Sequence, residues 1–206
     1  MLTIWLREKF GASRVNDPYC WPGTACLKNK LGIKDTASLA VSEARIVSVR
    51  EIGLAREIVP GEYNLQHLKE FHRSLFRDVY DWAGETRSVD ISKPGSRFAH
   101  WRFVDEILST ILGELENDGW LHGRSRASFV ERLAYYYGEI NACHPFREGN
   151  GRTQRAFLRQ LSAAANWRLD WSALSREDNI EASQLSLQSG NRELLKRVLD
   201  PVVIAY

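Results

Sequence analysis

The sequence predicts an all-α fold, a compact helical bundle with one small β-hairpin, and three observations carry that expectation. Apolar residues recur at three- and four-residue spacing through most of the chain, which marks helices that each bury one face. One short stretch, Arg87 to Ser92, alternates apolar and polar residues ahead of a Lys93-Pro94-Gly95-Ser96 turn, which marks a hairpin. At 206 residues, 44% of them apolar, the chain reads as one domain over 1–206 with a substantial core, and it shows no internal repeat, low-complexity tract or linker.

The elements follow in order. Met1 to Phe10 contains Trp5, Leu6 and Arg7 but no signal-peptide pattern, so a cytoplasmic protein is expected. After turns at Asp17-Pro18 and Pro22-Gly23, a helix is expected over 38–50. Pro60-Gly61 separates it from a second helix over 65–79, whose Leu65, Leu68, Phe71, Leu75 and Val79 make one apolar face. The hairpin comes next and returns through Arg97-Phe98-Ala99-His100-Trp101. Val104, Ile107, Leu108, Ile111, Leu112 and Leu115 mark a third helix that stops near Asp118-Gly119. Phe129, Leu133, Tyr136, Tyr137 and Ile140 mark a fourth, which delivers a loop at His144. The fifth starts at about Asn150, carries Phe157, Leu161, Ala164 and Ala165, and forms a central hairpin with the fourth. Segments 176–187 and 192–199 close the bundle. The tryptophans and tyrosines follow these helical faces, so they are read as core rather than as a base-stacking platform.

Composition limits the function. A net charge of +2 argues against a direct nucleic-acid binder with a broad basic surface, and Arg159 is read as a solvated or salt-bridged helix residue. No apolar stretch is long enough to span a bilayer, so no membrane partner is expected. Cys20 and Cys26, separated by five residues, lack a second pair to complete a zinc site and are read as free thiols of a reducing compartment. Cys143 directly precedes His144, but adjacent helical side chains diverge by about 100°, so it is read as a packed thiol rather than a nucleophile.

The chemistry concentrates between the fourth and fifth helices, in His144-Pro145-Phe146-Arg147-Glu148-Gly149-Asn150-Gly151-Arg152-Thr153-Gln154-Arg155. A neutral imidazole at His144 can take a proton from a hydroxyl near pH 7. Glu148 offers one hard oxygen ligand, which suffices for Mg²⁺ when phosphates supply the others. Gly149 and Gly151 let main-chain N–H groups approach a ligand, and a helix starting at about Asn150 aims its unpaired N–H groups at the same place. Arg152 and Arg155 share a face of its first turn, where cations oppose the helix dipole unless an anion sits between them.

This run resembles the signature of the Fic family (filamentation induced by cAMP), His-x-Phe-x-Asp/Glu-Gly-Asn-Gly-Arg-x-x-Arg, and fills every fixed position of it. The resemblance covers about 17–199 and implies a Fic-fold bundle that transfers AMP from ATP-Mg²⁺ to a Ser, Thr or Tyr hydroxyl of a target protein. It implies that His144 deprotonates the hydroxyl, Phe146 anchors the loop and Glu148 binds Mg²⁺. Asn150, with the backbone of Gly149 and Gly151, would hold the phosphates, Arg152 on the β-phosphate side and Arg155 at the γ-phosphate. The hairpin, over Ser92, Lys93, Pro94, Gly95, Ser96, Arg97 and Phe98, would be the flap that clamps the target beside the 144–155 loop.

The same resemblance implies regulation by a glutamate on a Ser/Thr-x-x-x-Glu-Gly/Asn helix. Ser189-Gly190-Asn191-Arg192-Glu193-Leu194 has the spacing but ends in Leu, so a separate antitoxin-like protein is expected to restrain a toxin-like enzyme. A type II topoisomerase subunit is the target the resemblance suggests. Another donor (UTP, GTP or CDP-choline), a catalytically silent protein-binding module and secretion into a host all stay open.

Overall fold

The computed structural model describes residues 17–93 and 96–206; Met1 to Phe10 and the Pro94-Gly95 hairpin tip, both named above, lie outside the described residues. Asp35 begins the first helix, α1 (Thr36–Leu54), by accepting the Ser38 N–H at 2.7 Å. It buries Leu39, Glu43 and Val47, while Val41, Val49 and Ile52 face outward. Asn64 caps α2 (Leu65–Phe76) in the same way, accepting from the His67 N–H at 3.0 Å. The second helix therefore stops three residues before the expected Val79, because the Val79 and Tyr80 N–H groups both turn back onto the Phe76 carbonyl. Val79 is still fully buried, so the apolar stripe continues through a turn rather than a helix.

The hairpin is shorter than the alternation suggests. β1 (Ser92–Lys93) pairs antiparallel with β2 (Ser96–Arg97), Ser92 opposite Arg97 and Lys93 opposite Ser96. The expected strand over 87–91 does not form, since the Arg87 N–H bonds the Pro145 carbonyl and its side chain is buried against the end of another helix. Then come α3 (Val104–Asn117), α4 (Arg126–Cys143), α5 (Asn150–Ala164), α6 (Arg176–Ser189) and α7 (Glu193–Leu199). A second two-stranded sheet goes beyond the expectation: β3 (Trp167–Leu169) pairs antiparallel with β4 (Val203–Ala205). Asn166 makes it possible by adopting the left-handed conformation (φ 64°) and ending α5 sharply, a conformation Asn tolerates.

The helices α4 and α5 form the central antiparallel pair, with α2 and α3 on one side and α6 and α7 against α4. Phe71 of α2 meets Phe157 of α5 edge to face at 5.7 Å, and both are fully buried. Each such side chain contributes roughly 1.5–3 kcal/mol by burial. Tyr80, Tyr136 and Tyr137 are core residues. Arg159 departs from its expected role: half-buried on α5, it donates to the Leu54 carbonyl at 2.7 Å and satisfies the end of α1. Cys20, Cys26 and Cys143 are free and buried. Cys143 donates to the Val104 carbonyl, and burial pushes its thiol up to about 12, well away from nucleophilic use. Among the described residues no helix is long and apolar enough to cross a membrane.

At the end of α3, Asp118 accepts from Arg132 (2.6 Å), Arg124 (2.8 Å) and the Tyr136 hydroxyl (3.0 Å), tying α3 to α4. Burial raises its carboxyl, but the Arg132 and Tyr136 hydrogen bonds and the nearby guanidinium charges outweigh this and hold it below the usual range. A depressed folded pKa gives stability that is present above the ordinary aspartate value, near ~3.9, and is lost as pH falls through the folded value. Asp118→Asn is expected to lose about 2 kcal/mol at pH 7 in urea unfolding, with the gap to the parent closing as the pH is lowered past about 4.

Candidate active site

The site begins where α4 ends. His144 is its C-cap in the left-handed region (φ 48°, ψ 63°), a conformation that costs a residue with a side chain roughly 1–2 kcal/mol. Pro145 has no N–H with which to continue the helix. Arg87 holds the strained turn. Fully buried, its guanidinium donates to the carbonyls of His144 (2.9 Å), Cys143 (3.2 Å), Val89 (2.8 Å) and Ala99. The first two carbonyls end α4 and the last two flank the hairpin, so one side chain joins the flap base to the His144 turn.

Three histidines are buried, and their ring nitrogens separate them. His67 accepts the Tyr63 N–H at Nδ1 and donates Nε2–H to the Val59 carbonyl. His72 accepts the Gly84 N–H at Nδ1 and donates Nε2–H to the Glu148 carbonyl. Both nitrogens are engaged in each, as a neutral structural imidazole requires. His144 differs: Nδ1–H donates to the Asn141 carbonyl at 3.2 Å, which leaves the lone pair on Nε2. The ring lies under Phe98 of the flap, stacked at 3.8 Å and 15°. Burial, then the Lys93 charge, holds its pKa down to about 3, so the imidazole is neutral.

Packing and local hydrogen bonds shape the loop after His144. Phe146 is buried and stacks on His72 at 3.9 Å and 10°, with Phe76 and Trp82 also stacked on that imidazole. Asn150 is used differently from the expectation, because its amide accepts from the Phe146 N–H (2.8 Å) and donates to the Phe146 carbonyl (2.7 Å). Its side chain thus closes the loop while lining the cavity. Gly149 caps α5 at φ 82°, and a Cβ there would lie 2.3 Å from the Phe76 ring. That position requires glycine on both counts.

Charged groups complete the site. The half-exposed Glu148 carboxylate accepts the Gly149 N–H at 2.9 Å and stands 3.5 Å from Arg152 Nη2. Arg152 makes its shorter bond, 2.6 Å, to Glu43 of α1, and its guanidinium lies 4.8 Å over the Phe76 ring. Tyr80 donates its hydroxyl to the other Glu43 oxygen. Arg147, outside the fixed positions of the motif, is held by Asp17 through Nε (2.9 Å) and Nη2 (2.7 Å). Sequence reasoning misses Glu43, Tyr80, His72, Arg87 and Asp17, which lie far along the chain from the residues they support. Only the glycine of Gly84, which faces the Arg73 side chain, hints that the 72–87 region is closely packed.

A cavity of about 240 Å³ brings the predicted residues together: His144, Glu148, Gly149, Asn150, Gly151, Arg152 and Arg155, with Ser92, Lys93 and Phe98 from the flap. Phe146 lies behind it, and Ser96 and Arg97 are in β2 without lining it. The first turn of α5 opens on the same space, where its unpaired N–H groups and two guanidiniums would suit an anion. No cluster of three or more His, Cys, Asp or Glu side chains suited to a metal occurs among the described residues. Glu148 on the cavity fits the other arrangement, in which one carboxylate and a ligand's own phosphates hold Mg²⁺.

Residues 62–162 match the model of the Fic/DOC family. The chain is 36% identical to the probable protein adenylyltransferase Fic of Escherichia coli (strain K12), over 96% of both chains. It is 41% identical to the protein adenylyltransferase VbhT of Bartonella schoenbuchensis over 89% of its own length, and spans 38% of that longer protein. Among solved structures, the BepC protein of Bartonella tribocorum with bound AMPPNP is similar, with a TM-score of 0.86 and 28% identity over 91% of this chain and 97% of that one.

Two outcomes follow from this geometry. The His144 ring resonances are expected to stay constant between about pH 5 and 8, and Phe98→Ala to bring them into titration toward the ordinary midpoint near ~6.5, measured by NMR. Gly149→Ala is expected to destabilise by about 3 kcal/mol or more, since strain and overlap with Phe76 add. Gly190→Ala, also at positive φ but in open space, is expected to cost about 1 kcal/mol in the same urea titration.

Proposed function

The chain belongs to the Fic/DOC family, and on that premise we propose that it is a protein adenylyltransferase, which transfers AMP from ATP to a Ser, Thr or Tyr hydroxyl of a target protein. The observation that carries this reading is that, among the described residues, His144 alone of the three buried histidines has a ring nitrogen without a partner, on a cavity whose other charged walls suit a polyphosphate. The target side chain enters between the flap and His144. Its hydroxyl proton passes to Nε2, its oxygen bonds to the α-phosphorus, and the bond from that phosphorus to pyrophosphate breaks. The products are an AMP–protein phosphodiester and pyrophosphate, with the proton left on the imidazole.

The protein's part is position and charge, as phosphoryl chemistry demands. The main-chain N–H groups at the start of α5, together with Arg152 and Arg155, hold the phosphates, and the anion offsets the unfavourable placement of two cations at a helix N-terminus. Beneath Phe98 the imidazole is a weak base. Displacement of Phe98 by the target and the arrival of a triphosphate both favour the protonated ring, so His144 gains basicity when both substrates are present. Glu148 would hold Mg²⁺, which neutralises phosphate charge when bound.

Bound AMPPNP in the BepC structure supports an adenine nucleotide as donor. A type II topoisomerase subunit is the candidate target, and the three free thiols suit a reducing, cytoplasmic setting. Restraint by a separate antitoxin-like protein is the reading supported by Glu193. That residue is exposed beside Lys196 and lines a cleft with Glu131, Arg132 and Arg192 that shares no residue with the Arg155 cavity.

Incubation with Mg²⁺, α-labelled ATP and bacterial lysate is expected to label a protein, and His144→Ala to lower the rate by about 10²–10⁴-fold. Absence of His144-dependent label would overturn AMP transfer, with UTP, GTP and CDP-choline run alongside to identify another donor. Glu193→Gly is expected to leave the rate unchanged; a sharp rise would replace the separate inhibitor with an internal one.

A further inference from the structure

We infer that Glu43, held by Tyr80, is a positioning residue that fixes Arg152 in the orientation in which it meets the nucleotide's phosphates. This rests on the phosphate role proposed for Arg152. Glu43 comes from α1, remote in sequence from the loop, and is 7% exposed. A buried carboxylate is costly to desolvate and is seldom the most stable choice for a core position. Here both oxygens are engaged, one by Arg152 Nη2 at 2.6 Å and the other by the hydroxyl of Tyr80. Tyr80 is buried in turn and stacks on Trp82 at 4.2 Å and 19°. The arrangement is rigid from the core outward.

Its effect falls on Arg152. An arginine side chain free in solution has rotamer entropy to lose on binding an anion. Arg152 has lost it already, gripped at its edge by Glu43 and underneath by the Phe76 ring. The bonds to Glu43 and Glu148 both leave from Nη2, so Nε and Nη1 face no carboxylate among the described residues while the side chain lines the cavity. The distances also rank the two acids. Glu43 at 2.6 Å outcompetes Glu148 at 3.5 Å and keeps the guanidinium from collapsing onto the cavity carboxylate. Phe76 has a second part, since the same ring that supports Arg152 is the one that admits only glycine at position 149.

Positioning and simple charge make opposite predictions. The negative charge of Glu43 repels a polyphosphate, so as a mere neighbour its removal would tighten ATP binding and leave the transfer step alone. As a positioning residue its removal frees Arg152 and slows transfer even when ATP is saturating. A purely structural residue would lower the melting temperature and leave the rate per folded molecule unchanged.

The experiment compares the full chain with Glu43→Gln and Tyr80→Phe by two readouts. The first is the NMR order of the Arg152 Nε–H group, assigned with Arg152→Lys; the second is the rate of AMP transfer at saturating Mg-ATP. Glu43→Gln is expected to mobilise the Arg152 group and lower the saturating rate on the order of 10- to 100-fold. Tyr80→Phe is expected to move both readouts the same way by less, and the double variant to be no slower than Glu43→Gln alone, because the two act through one guanidinium. An Arg152 group that stays ordered in folded Glu43→Gln, or a saturating rate that stays at the parent value, overturns the inference. If Glu43→Gln does not fold, Tyr80→Phe is measured by the same two readouts, and an ordered Arg152 group or a parental rate in that variant overturns the inference equally. A parent that transfers no AMP while its Arg152 group loses order in Glu43→Gln rejects the proposed reaction and leaves the grip of Glu43 on Arg152 standing.

Discussion

Much of this site hangs on one buried guanidinium. Among the described residues Arg87 faces no acid of comparable burial, since Asp90 stands at 3.6 Å in a largely exposed position. It is instead surrounded by main-chain carbonyls from two places that must stay in register, the end of α4 and the base of the flap. Carbonyl oxygens at a helix C-terminus carry the negative end of the dipole and need partners there. A planar fork of donors can meet several of them at once, which a lysine ammonium on its flexible stem cannot reproduce. The left-handed turn at His144 persists because this network over-determines it. The Ala99 N–H reaches the Ala142 carbonyl and adds a second tie between the same two regions.

The remaining parts are layered in the same manner, each group exposed to the cavity standing on a buried one. Glu148 has its backbone carbonyl held by His72, and His72 is stacked among Phe146, Phe76 and Trp82. Neutral imidazoles suit this work because they donate at one nitrogen and accept at the other, so the tautomer is set by the two main-chain partners. Burial keeps His72 neutral, with its pKa near 3, and a bridge between a backbone N–H and a carbonyl is thereby preserved across the physiological range. His144 shares the burial but, among the described residues, has a partner at one ring nitrogen where His72 has partners at both.

The helices are legible in the sequence because burial on one face leaves a periodic trace, and α3, α4 and α5 form over nearly the residues their apolar spacing marks. The loop is legible because its residues are adjacent in the chain and their types are rare in combination. What cannot be read there arises from pairing across the fold. The β3–β4 sheet depends on the C-terminal segment returning to the end of α5, and three-residue strands are too short to show alternation. The segment 87–91 has the pattern of a strand, yet a single arginine whose side chain points inward outweighs it. Glu43 lies on α1, where outward-facing Val41, Val49 and Ile52 blur the periodicity, so nothing local distinguishes its acid from a solvated one. Asn150 belongs to the expected loop but makes a different contact, because a side-chain amide serves a neighbouring backbone as readily as a ligand.

The stacking of Phe98 on His144 also bears on which nucleophile can react. Water is always present and always small enough to reach a phosphorus atom, so any transferase that works on proteins competes against hydrolysis. The Phe98 ring covers one face of the imidazole, while the Nε2 lone pair lies in the plane of the imidazole and stays on the side of the cavity. In the proposed reaction, an acceptor bringing its own apolar contacts could replace that stacking as it enters, and water could not. The same contact would then set how readily the proposed enzyme spends ATP on water.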